Sequence, residues 1–133
     1  MHATTFGGTP LGCAVALKIL EIIARDRLAD QARTIGERLM QGLTRLVEKY
    51  PRRLKTARGL GLMLGFELAP DIPAFAGNGK PPSLQMVNRL HDAGLLTIPA
   101  GLHVVRLLPA LNLRASEAEE GLGIIESVVR STA

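Results

Sequence analysis

Tryptophan is absent, aromatic residues make up 3% of the chain, and there is one cysteine, Cys13, among 133 residues. With so few flat rings there is little to stack bases on, which argues against a nucleic-acid partner. A single cysteine excludes an internal disulfide framework and a thiolate zinc cluster. His2, His91 and His103 are scattered without metal-ligand spacing and read as surface or helix-end residues, so no metal is expected. No apolar run approaches the roughly 20 residues of a membrane span, and no basic stretch followed by an apolar one marks a secretory signal. The absences together predict a cytoplasmic protein with neither a membrane nor a nucleic-acid partner.

What is present suits one globular domain or a piece of a larger one: 47% hydrophobic and 21% charged residues. The net charge of +4 is unevenly spread, with ten Lys/Arg against four acidic residues between Arg25 and Arg58 and a slight acidic excess elsewhere. Arg52, Arg53, Lys55 and Arg58 are close enough to form a patch, but most of these charges fall on the outer face of a helix and read as solvated.

Thr9-Pro10 reads as a helix cap followed by the proline that suits a first helical position. Leu11 to Ala24 is apolar on nearly every side, so this helix should be buried against other structure, with Cys13 as a small apolar filler. Leu28, Ala32, Ile35, Leu39, Leu43, Leu46 and Tyr50 form an amphipathic stripe that predicts a second helix from about Arg27 to Tyr50, ended by Pro51. Gly59, Gly61 and Gly65 punctuate the next segment. Leu62 to Leu68 fits a strand covered on both faces, and Pro70 to Pro82 a loop. Ser83 is expected to cap a helix to Asp92, with Leu84, Val87 and Leu90 inward and Gly94 as its stop. Leu95 to Ile98 and Val104 to Leu108 are predicted strands. Ser116 and Glu119 read as a capping box opening a last helix to about Arg130, with Ala118, Leu122, Ile125 and Val129 on one face. The expected fold class is α+β: two N-terminal helices, then a small β-α-β-β-α domain, with a boundary near residue 50 between residues 1–50 and 51–133.

Two places could carry chemistry. Thr4-Thr5-Phe6-Gly7-Gly8-Thr9-Pro10 combines hydroxyls, glycines and a helix N-terminus, which suits an anion such as a phosphate; an ordinary capped loop accounts for the same residues. Arg106, inside the apolar run Val104-Val105-Arg106-Leu107-Leu108, needs a partner if buried. Its planar fork suits a ligand carboxylate, or else a structural ion pair, for which Glu67 is the obvious candidate. Ser83 and Ser116 are not nucleophiles, since no histidine is placed to activate them.

His2-Ala3-Thr4-Thr5-Phe6-Gly7-Gly8-Thr9-Pro10-Leu11 resembles the H-G-[ST]-T-[FY]-G-G-N-P-L segment of class III, pyridoxal-phosphate-dependent aminotransferases. Arg58-Gly59-Leu60-Gly61-Leu62-Met63-Leu64-Gly65 is similar to that family's R-G-x-G-L-M-x-G strand. Gly94-Leu95-Leu96, followed by Val105-Arg106-Leu107-Leu108-Pro109-Ala110-Leu111-Asn112, is similar to its G-L-L … [IV]-R-[LF]-x-P-P-L-N. The three motifs span essentially the whole chain, closest in character to the acetylornithine and ornithine aminotransferase branch. The resemblance implies that Thr5, beside Thr4, contacts the cofactor phosphate of a neighbouring subunit in a dimer, and that Arg106 holds the substrate α-carboxylate. It further implies structural roles for Gly59, Gly61 and Gly65, and the small C-terminal domain of such an enzyme as the fold.

This sequence has Ala3 and Thr9 where the family has Gly and Asn. The family's cofactor-bearing lysine and the aspartate for the pyridine nitrogen lie upstream of the Thr-Gly segment, and Lys18, Lys49, Lys55 and Lys80 all fall downstream of it. The expectation is therefore the C-terminal portion of an enzyme that moves an amino group between an ω-amine such as acetylornithine and 2-oxoglutarate. It should be inactive alone, unable to hold the cofactor alone, and self-associating. The alternatives are a stand-alone amino-acid-binding or regulatory module, and a basic nucleic-acid-binding protein.

Overall fold

The computed structural model describes residues 4–77 and 79–132. Helix α1 (Pro10–Arg25) begins where Thr9 accepts a hydrogen bond from Gly12 N at 3.3 Å and Pro10 occupies the first turn. Asp26 ends it and Arg27, at φ 51°, turns the chain into α2 (Leu28–Lys49). Strands β1 (Leu54–Leu60) and β2 (Met63–Leu68) form a hairpin; α3 (Pro82–Asp92), β3 (Ile98–Ala100), β4 (Val104–Leu107) and α4 (Ala115–Ser131) come after it, with one 3-10 turn at Pro73–Phe75. The strands make one antiparallel sheet in the order β1-β2-β4-β3.

Alternation along the strands separates two faces. Leu64, Phe66 and Leu68 of β2, with Val105 and Leu107 of β4, point into the core. There they meet Ile35, Leu39, Leu43 and Leu46 of α2, Met86, Val87 and Leu90 of α3, and Leu122, Ile125 and Val129 of α4. The stripe expected on α4 is buried, and that on α2 is buried from Ile35 to Leu46 with Leu28, Ala32 and Tyr50 half-buried; on α3, Met86 is fully buried whereas Leu84 is only half-buried. On the opposite face, register sets Arg58 of β1, Gly65 of β2, Arg106 of β4 and Ile98 of β3 in one row across the sheet.

The α+β class holds, with several local differences from expectation. The segment Leu54–Leu60 is a strand, so the sheet has four strands. Gly61, at φ 55°, begins a two-residue hairpin turn, a conformation that favours glycine there. The strand expected at Leu95 to Ile98 instead runs Ile98–Ala100. Ser83 is not the cap of α3: Pro81 and Pro82 start that helix, and the buried Ser83 hydroxyl donates to Gly101 O at 2.6 Å. Nor do Ser116 and Glu119 cap α4. Helix α4 starts at Ala115, and Glu117 accepts from the Arg114 backbone N–H at 2.8 Å and from its guanidinium at 2.6 Å.

Helix α1 differs most. None of its residues is buried, and Cys13 is exposed rather than a core filler. Leu11, Val15, Leu17, Ile19 and Leu20 face outward, since α1 packs mainly on α2.

Candidate functional site

The Thr-Gly loop is built by local hydrogen bonds. Gly7 N donates to Thr4 O at 3.3 Å, Thr9 N to Phe6 O at 3.4 Å, and the Thr9 hydroxyl also to Phe6 O at 3.0 Å. A Cβ on Gly7 would strike the Thr4 hydroxyl, and Gly8 sits at φ 81°, so both glycines suit this turn. Thr4 and Thr5 are exposed, and neither hydroxyl has a partner among the described residues. Thr9 is committed to the helix, so the two free hydroxyls at the N-terminal end of a 16-residue helix fit the phosphate end of a cofactor. His2 and Ala3 lie outside the described residues.

Arg106 sits on the open face of β4. Its Nε is shut off from solvent and has no hydrogen-bond partner among the described residues, which is costly for a guanidinium nitrogen. Glu67, the partner expected from sequence, is committed elsewhere: it accepts from Lys55 Nζ at 2.8 Å and from Arg58 Nη1 at 2.9 Å. Those two hydrogen bonds, Lys55 first, hold the Glu67 carboxyl below the usual glutamate range. The face around the arginine row is rimmed by exposed Leu60, Met63 and Ile98. An apolar groove lined by Leu39, Leu95, Leu107 and Leu113 lies on the helix side of β4, behind Arg106.

The remaining candidates have structural roles. His91 Nε2 lies 3.1 Å from Thr97 N and ties the end of α3 to the lead into β3. No group of His, Cys, Asp and Glu among the described residues could hold a metal ion, and no helix among them is long and apolar enough to cross a membrane. Much of the basic stretch is paired: Arg27 with Asp30, Arg38 with Glu119, Lys49 with Glu126, and Lys55 and Arg58 with Glu67.

Sequence reasoning missed Lys55 and Arg58 as neighbours of the site because their strand was not recognised. The signal available was Arg58 preceding Gly59, Gly61 and Gly65 at hairpin spacing. The Thr-Gly loop leads into α1, which adjoins α2, whereas Arg106 lies on the outer sheet face.

The fold is that of solved aminotransferases. It matches the acetylornithine aminotransferase of Elizabethkingia anophelis with a TM-score of 0.82 and 27% identity, over 98% of this chain and 31% of that one. It matches N-acetylornithine aminotransferase from Stenotrophomonas maltophilia with a TM-score of 0.78 and 30% identity, over 94% of this chain and 32% of the other. In sequence it is 40% identical over 127 residues to an acetylornithine aminotransferase of Gloeobacter violaceus, covering 96% of this chain and 29% of that protein. The family model for class-III aminotransferases matches residues 1–129, and the chain belongs to that family. Class III aminotransferases depend in general on pyridoxal phosphate. The chain spans about three-tenths of the length of the relatives it matches.

Proposed function

We propose that this chain serves as the carboxylate-binding, phosphate-contacting part of an aminotransferase acting on an ω-amine such as acetylornithine with 2-oxoglutarate. Residues 1–50 act as loop and linking helices, with α2 also packing its buried stripe on the sheet, and residues 51–133 as the small domain, in a cytoplasmic homo-oligomer. The observation that carries the reading is the solvent-excluded Arg106 Nε without an acceptor among the described residues, on a face where the nearest expected carboxylate is already taken. Its guanidinium would grip a substrate α-carboxylate by two parallel hydrogen bonds and so fix the direction in which the amino end points. Thr5, with Thr4 beside it, would donate hydroxyl hydrogen bonds to the cofactor phosphate, helped by the positive end of α1. Pyridoxal phosphate, when bound, supplies the electron sink for the transfer.

The residues fit the phosphate end of that cofactor and not its reactive end. Lys18, Lys49 and Lys55 are exposed and paired with Glu21, Glu126 and Glu67, and Lys80 is exposed as well. Lys49 is pushed above the usual lysine range, first by its hydrogen bond to Glu126. A lysine that attacks a carbonyl needs the opposite, a desolvated site that favours the neutral amine.

Titrating L-glutamate into the 133-residue chain tests the reading. Arg106→Ala should abolish binding and Arg106→Lys should weaken it about tenfold or more, because a point charge loses the fork geometry; binding unchanged in both overturns the assignment. With acetylornithine, 2-oxoglutarate and added cofactor, the isolated chain should give no product.

A further inference from the structure

Arg58 and Arg106 are both paired with Gly65, one from each side, so both stand diagonal to Glu67 two residues along β2. Diagonal neighbours across an antiparallel pair lie about 7–8 Å apart, within reach of long side chains. Register therefore puts both arginines within side-chain reach of one carboxylate, and no Cβ at Gly65 stands between them. Arg58 has the bond, at 2.9 Å, and Lys55 takes the second Glu67 oxygen at 2.8 Å. Both carboxylate oxygens are thus occupied from the β1 side, while Arg106 Nε has no acceptor among the described residues.

We propose that Lys55 and Arg58 are positioning residues that keep Arg106 available to a ligand carboxylate by holding Glu67 away from it. Resting on the reading of Arg106 given above, the proposal adds a cause for Glu67 not being its acceptor. Without those two cations, Glu67 is a single uncompensated carboxylate on the same face as a guanidinium short of an acceptor, and the two close on each other. The ligand then has to displace an internal competitor. Both guards have side chains more than half exposed, Lys55 at 62% and Arg58 at 61%, so replacing them leaves the core intact.

The test uses the isotope-labelled 133-residue chain and two readouts, the Arg106 Nε–H resonance and its response to L-glutamate. In Lys55→Met/Arg58→Leu, the Arg106 Nε–H should shift to a hydrogen-bonded position and exchange more slowly before any ligand is added. Glutamate affinity should fall about three- to tenfold. Adding Glu67→Gln to that double variant should restore both, which a merely structural role for the two cations would not. Should the double variant fail to fold, the Lys55→Gln and Arg58→Gln single variants carry the same comparison, with smaller shifts in the same direction. An Arg106 signal and affinity unchanged by removing the guards overturns the proposal while leaving the Arg106 assignment standing. A wild-type Arg106 signal indifferent to glutamate overturns that assignment instead, and the ligand-free shift still decides whether Glu67 captures Arg106 when unguarded.

Discussion

Arg106 and Glu67 show how far single residues can be read in advance. A guanidinium inside an apolar strand stands out whatever the fold, so the placement of Arg106 is legible; so is that of Thr4 and Thr5, as hydroxyls before a helix start. Which carboxylate Arg106 lacks is not legible, because Glu67 finds its partners on a strand that the pattern of Lys55, Thr56, Arg58 and Gly59 disguises. Glycines carry the same lesson. Gly36, inside α2, has the Gly61 carbonyl where a Cβ would stand, so the hairpin tip seats directly on that helix. Gly123, inside α4, is exposed with nothing near it. Gly36→Ala should therefore destabilise by about 1–3 kcal/mol or more, and Gly123→Ala should stabilise by roughly 0.5–1 kcal/mol. Denaturant midpoints of the two variants check this, and equal effects would contradict the packing described.

At the scale of elements, the helices are the legible part. The stripes of α2 and α4 repeat over enough turns for burial to be read from period alone. Element ends are less legible, because side-chain competition sets them: Arg114 cannot accept from a helix N–H, yet its own N–H and guanidinium are both taken by Glu117, which moves the start of α4 ahead of the serine. Helices α2 and α4 are also tied at their rims, where Glu126 accepts from Lys49 at 2.6 Å and from the Tyr50 hydroxyl at 3.0 Å. The Lys49 hydrogen bond first, and Tyr50 next, hold the Glu126 carboxyl below its ordinary value of 4.5. A carboxyl depressed in the folded state contributes stability above its unfolded value and loses it as pH falls through the folded one. The gap in thermal midpoint between wild type and Glu126→Gln should thus be widest near neutral pH and close as pH drops below 4.5. A gap that persists in acid would show that the tie is not ionic.

For the whole molecule, the sheet and three of its helices share one core, while α1 leaves a face of leucine, isoleucine and valine uncovered. Such a face in water seeks another apolar surface. Sedimentation should show a mass that rises with concentration, and Leu17→Glu/Leu20→Lys should shift it toward the monomer; a strictly monomeric wild type at high concentration refutes this. The need for cover is legible in the sequence as an apolar helix, but the absence of cover is not, since periodicity describes a helix and not its neighbours.

The joint between α1 and α2 has a mechanical consequence. Asp26 and Arg27, the latter in a left-handed conformation, are the whole of the connection, and α1 leans mainly on α2. The Thr-Gly loop is thus the tip of a lever some sixteen residues long, pivoting on two. Were α1 to turn by a few degrees at Arg27, the loop hydroxyls would move by ångströms while the arginine row on the sheet stayed still. A phosphate contact at the loop and a carboxylate contact at Arg106, as proposed above, would then be separately adjustable.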